Sequence, residues 1–175
     1  MLFCLALGLW ASSLAGVSGC GYRAVYGQAS ASKFSVGSGQ VLVPELGAPQ
    51  AALSGARAEL SAAGALGPAD TFPRLTLDVL RVDELSRGVR VTAGQPQAAA
   101  MSVAVVVRGR LFPGEGQEST LDTGDLRRSV QLAGDADPRV DSAAYDAAVR
   151  AAAERAGRAA ARAALGIPEP ADETP

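Results

Sequence analysis

Two cysteines, one lysine and a scattered set of arginines are the side chains in this 175-residue chain from which chemistry could be built. Histidine is absent, which removes the usual general base near neutral pH and the commonest metal ligand. Histidine-based triads and histidine metal sites are excluded with it. Cys4 and Cys20 both lie in the first twenty residues, so nothing downstream can form an internal disulfide or a thiolate zinc site. Lys33 is the single lysine and sits in a Ser/Gly-rich stretch, a poor setting for a Schiff base or a phosphate loop. No serine occupies a Gly-x-Ser-x-Gly elbow. Gly114-Glu115-Gly116 lacks the third glycine and the following helix of a phosphate-binding loop, and it reads as a turn. Asp122, Asp125, Asp135, Asp137 and Asp141 lack the spacing and closing glutamate of a calcium loop, and they read as loop and cap residues. With 16 basic against 18 acidic residues, no bulk field draws the chain to nucleic acid, and nucleic-acid binding is not expected. The residues predict neither an enzyme nor a bound cofactor or metal.

Cys20 is different from these. Leu2, Phe3, Leu5, Leu7, Leu9 and Trp10 form a short uncharged apolar block that runs into small residues and ends in Val17-Ser18-Gly19-Cys20. An apolar block followed by small residues is the pattern of a secretory signal and its cleavage site. The block is shorter than the roughly 20 residues a spanning helix needs. The four residues closing it resemble the lipobox of bacterial lipoproteins. There the small residues suit a peptidase groove, and the cysteine thiol takes a diacylglyceryl group and becomes the new N-terminus. That resemblance makes residues 1–19 a lipoprotein signal peptide and Cys20 the lipid anchor. The first basic residue is Arg23, so the basic segment that usually opens such a signal is expected from a start codon further upstream.

Seven arginines fall on strand-like segments or their turns: Arg81, Arg87, Arg90, Arg108, Arg110, Arg127 and Arg128. A guanidinium fork grips phosphate bidentately, so a cluster of them could hold a phosphorylated lipid or an acidic partner. Against this stands an ordinary solvated face, in which they pair with Asp78, Asp83, Glu84 and Asp125.

The elements that must position these residues are legible in outline. Residues 20–39 read as the lipidated N-terminus and a flexible tether, rich in Ser, Ala and Gly from Gln28 onward. Val41-Leu42-Val43 reads as a first strand ending at Pro44. Leu53, Ala56, Leu60 and Ala63 fall at helical spacing between Pro49 and Leu66, with Gly67-Pro68 as the stop and Glu59 away from the apolar stripe. Leu75, Leu77 and Val79 alternate as a strand, and Val82 signals a bulge near Arg81. Ser86-Arg87-Gly88 reads as a hairpin turn with Val89 and Val91 returning. Met101 to Phe112 is the strongest strand, with Val103, Val105 and Val107 on one face and Ala104, Val106, Arg108 and Arg110 on the other. Leu126 to Leu132 reads as a last strand. A long helix holds from about Ser142 to Leu165, opened at Asp137-Pro138 or Asp141 and stopped by Gly166. The order β-α-β-β-β-α predicts an α+β two-layer sandwich: a mixed or antiparallel sheet of about four strands covered by two helices. The single domain is expected to span 40–166, with 167–175 as a disordered tail.

Cys20-Gly21-Tyr22-Arg23-Ala24-Val25-Tyr26-Gly27 resembles the start of the mature chain in the LPS-assembly lipoprotein family LptE. The element order that follows resembles that family's domain over nearly the whole mature chain. The resemblance implies an outer-membrane lipoprotein, lipid-anchored with its domain on the periplasmic side or in a barrel lumen. It would plug and help assemble the LptD β-barrel and assist lipopolysaccharide transport to the cell surface. Cys20 carries over as the anchor, with Gly21 and Tyr22 as the family's opening. Arg90, Arg108 and Arg110 are taken from position alone as lipopolysaccharide-binding. The alternative is a stand-alone periplasm-facing lipoprotein that binds a lipid or envelope glycan without a barrel.

Overall fold

The computed structural model describes residues 32–168 except 46, 93–94 and 133–137; for 85–92, 95–100 and 138–141 it describes the backbone alone. The elements are β1 (Ser35–Val41), α1 (Gly47–Ala62), β2 (Arg74–Thr92), β3 (Gln95–Phe112), β4 (Leu121–Leu132) and α2 (Pro138–Ala164). The four strands lie side by side in chain order, β1 parallel to β2 and the others antiparallel. Both helices pack on one face of this mixed sheet, which is the expected α+β two-layer architecture.

Alternation decides which side chains reach the core. Leu75, Leu77 and Val79 of β2 and Val103, Val105 and Val107 of β3 are buried against the helices. The register skips Leu80: Val79 faces Val107 and Arg81 faces Val106. One extra residue reverses the parity of β2, so Val82 and Glu84 turn toward the helices while Arg81 and Asp83 turn away. The bulge falls where the sequence pattern puts it.

The hairpin does not. β2 runs on through Ser86 and Arg87, which pair with Met101 and Ala100, and the strand ends only at Thr92, paired with Gln95. Ser-Arg-Gly imposes no turn when the strands on both sides of it can go on pairing. The first strand also moves. It begins at Ser35, inside the stretch expected as tether, and Leu42 is exposed. Apolar content is a poor guide here because β1 is held by backbone pairing to β2 and by glycine. A Cβ at Gly39 would lie 2.0 Å from Asp78 Oδ1, so the strand can pass that carboxylate only without a side chain.

The helices explain the alanine content. Leu53, Ala56, Leu60 and Ala63 of the expected stripe are all buried, as are Ala152, Ala153, Ala156 and Ala160 of α2. At the crossing, a Cβ on Gly55 would meet the Glu154 carbonyl oxygen at 2.1 Å, and one on Gly157 would meet the Ala52 carbonyl oxygen at 2.0 Å. Each helix thus presses a glycine onto the other's backbone, and bulky side chains at this seam would separate them. α1 ends earlier than Gly67: Gly64 takes φ +66°, and Ala65 N–H donates to the Leu60 carbonyl as the chain leaves the helix. Gly166, φ +68°, closes α2 in the same way, with Ile167 N–H donating to the Arg162 carbonyl. Glu59 is a further correction. Off the apolar stripe by spacing, it is buried and accepts a 2.7 Å bond from Arg162 Nε of α2. No helix among the described residues is long and apolar enough to cross a membrane.

Candidate functional site

The sheet face away from the helices carries the arginines in question. Alternation places Asp78, Arg81 and Asp83 of β2 there, with Arg108 and Arg110 of β3 and Asp122, Asp125 and Arg127 of β4. Beneath them Ser102, Ala104 and Val106 are buried.

Each of these arginines has a carboxylate. Arg110 Nη2 donates to Asp78 Oδ2 at 2.6 Å, and the Asp78 side chain is only 3% exposed. Asp78 Oδ1 accepts the Gln40 backbone N–H at 2.7 Å, where the register of β1 shifts, so one buried carboxylate ties β1, β2 and β3 together. Arg108 donates to Asp125 Oδ1 through Nε at 3.1 Å and Nη2 at 2.6 Å, with Asp122 at 3.8 Å. A bulge in β4 produces that pairing. Arg108 faces Asp125 and Arg110 faces Asp122, with Thr123 and Gly124 opposite Gly109 alone, and Gly124 adopts φ +66°. The Asp125 hydrogen bond, then its charge and that of Asp122, holds the Arg108 guanidinium still more firmly protonated than usual. Asp83 is shared by Arg81 and Arg127, both at 3.4 Å.

The solvated-face reading therefore describes Asp78, Asp83 and Asp125 well. Four arginines and four aspartates offset one another, and a phosphate at Arg108 or Arg110 would compete with a carboxylate already in place. Glu84 departs from that reading: the bulge turns it to the helix side, where it hydrogen-bonds Tyr145. Burial first, then Glu84, pushes the Tyr145 phenol well above its ordinary pKa. Arg128 is also on the helix side, opposite Val105. The Arg87 and Arg90 side chains lie outside the described residues, as do Cys20, Gly21 and Tyr22. Gly114-Glu115-Gly116 forms the expected turn. Among the described residues no group of three His, Cys, Asp or Glu side chains could hold a metal ion.

One arrangement the sequence does not announce concerns the outer strands. Arg57 of α1 donates to the Val36 carbonyl of β1, and Arg155 of α2 donates to the Ser129 carbonyl of β4, both at 3.3 Å. Arg128 donates to the Arg127 carbonyl, two residues along β4, at 2.6 Å. Guanidinium groups thus occupy backbone acceptors on both outer strands of the sheet, a device that blunts edge pairing. No sequence pattern marks it, since the donors lie on helices remote in the chain.

No family model matches the sequence, and no curated protein matches it. Solved structures do match in fold. One is a protein of Caulobacter crescentus CB15 described as a lipoprotein, 18% identical, with TM-score 0.51 over 78% of this chain and 93% of that one. Another is the minor lipoprotein of Acinetobacter baumannii, 14% identical, with TM-score 0.50 over 79% of this chain and 96% of that one. The chain shares its α+β fold with these two lipoproteins.

Proposed function

We propose that this chain is a non-enzymatic outer-membrane lipoprotein, anchored through Cys20, that plugs and helps assemble an LptD-type β-barrel and assists lipopolysaccharide transport. One conjunction carries the reading. The lipobox-like Val17-Ser18-Gly19-Cys20 and the Gly21-Tyr22 that follows precede a domain whose fold matches two lipoproteins. The lack of histidine and the pairing of each described open-face arginine with a carboxylate both favour a scaffold over a catalyst. Acyl chains would supply a stable anchor, each buried methylene contributing about 0.8 kcal/mol.

The test is depletion in the native host beside a Cys20→Ala variant. Depletion is expected to lower the amount of assembled barrel and the lipopolysaccharide at the cell surface, and Cys20→Ala to release the protein from the membrane fraction. Unchanged barrel and lipopolysaccharide levels after depletion would overturn the plug reading. The stand-alone lipoprotein is favoured by one observation, the blunted outer strands, which suit a domain stable without a partner. It predicts that unchanged result together with release of Cys20→Ala.

A further inference from the structure

β2 and β3 outrun the rest of the sheet. β1 pairs with β2 no further than Val79, and β4 pairs with β3 no further than Met101. Beyond them, residues 87–92 and 95–100 continue as a two-stranded ribbon, an arm of roughly 20 Å. Among the described residues no strand lies along either side of it. An isolated two-stranded ribbon is marginal in water, so this arm is the part of the sheet that gains most from a third strand.

The two sides of the arm are not equivalent. Pro96 of β3 pairs with Val91. Proline lacks an N–H and fits a ladder only where its nitrogen faces away from the partner strand. Val91–Pro96 is therefore a non-hydrogen-bonded pair, and through the intervening Arg90–Gln97 pair so is Val89–Ala98. It follows that the backbone N–H and C=O groups of Val89 and Val91 point outward from β2, while the outer side of β3 is interrupted at Pro96. In the body of the sheet the outer strands are partly blunted, since guanidinium groups occupy the carbonyls of Val36 on β1 and of Arg127 and Ser129 on β4. The ribbon sequence also contains Arg87 and Arg90 and no acidic residue, which suits a strand bearing carboxylates.

We propose that the β2 side of this arm, Val89 to Val91, takes a strand of the barrel partner by β-augmentation. This rests on the proposed plug function. A closed barrel has no free edge, so the pairing belongs to the stage before closure, when the barrel's end strands are open.

The test uses the full chain, tagged after Pro175 and purified from outer membranes in mild detergent. Val89→Pro removes one outward N–H and leaves the ladder to β3, and Val89→Thr is its control. A second variant replaces residues 86–100 by Asn-Gly, joining Leu85 to Met101. Expected are wild-type capture of the barrel by Val89→Thr and a loss of roughly tenfold or more for Val89→Pro and the shortened chain. Circular dichroism and unchanged acylation of Cys20 verify that each variant folds and matures. Full capture by Val89→Pro overturns strand pairing, and full capture by the shortened chain removes the arm from the interface. If Arg87→Gln with Arg90→Gln abolishes capture while Val89→Pro does not, the arm contacts an anionic surface by charge and strand addition is wrong. Failure of the wild-type chain to capture any barrel refutes the plug function itself, an outcome separate from all of these.

Discussion

Asp78 shows what a single side chain does in this fold. Its carboxylate accepts the Gln40 N–H from β1 and the Arg110 guanidinium from β3 while almost fully buried. Asp78→Ala leaves both donors without that acceptor, and the unfolding free energy is expected to fall by about 2 kcal/mol in denaturant titration. Arg110→Ala leaves Asp78 its backbone donor and is expected to cost less. Equal losses would mean the β1 contact is idle. Tyr145 makes a pH-dependent prediction. Its phenol stays protonated in the folded state above pH 10, where the unfolded chain releases the proton. The unfolded state then binds fewer protons, so stability falls as pH rises past about 10. Urea midpoints between pH 9.5 and 11 should decline more steeply in the wild type than in Tyr145→Phe. Parallel declines would place the effect elsewhere.

Among elements, the helix seam is the most sensitive. Gly→Ala inside an exposed helix gains about 1 kcal/mol. At Gly55 and Gly157 the new methyl would overlap a carbonyl of the other helix, so each substitution is expected to destabilise by about 2 kcal/mol instead, read as a lowered Tm. A raised Tm for Gly157→Ala would show that the helices do not approach as closely as described. The sequence reveals these elements unevenly. Period-2 alternation in β3 and the bulge beside Arg81 could be read directly, since side chains there sort by burial. β1 could not, because Ser35 to Val41 is held by backbone pairing and two glycines that carry no apolar signal. The burial of Glu59 is not legible for a related reason: its partner Arg162 is 103 residues away. At the candidate site, Asp78, Asp83 and Asp125 were legible as partners of the arginines. Which aspartate meets which arginine also depends on the bulge of β4 at Thr123 and Gly124, whose register no local pattern fixes.

At the largest scale, the described residues form a sheet backed by two closely packed helices on one side, with a charge-balanced face on the other. Guanidinium groups blunt its outer strands, and a long ribbon extends past them. The proposed role is that of a lipid-anchored adaptor whose contacts are made by strands and faces. The measurement that bears most directly on the proposed role is purification of the tagged full-length protein from outer membranes in mild detergent. Mass spectrometry then identifies the co-purified protein and the N-terminal peptide. The account predicts an acylated Cys20 and a β-barrel protein in one-to-one ratio. An acylated Cys20 with no barrel would contradict the plug and leave a lipoprotein that works alone.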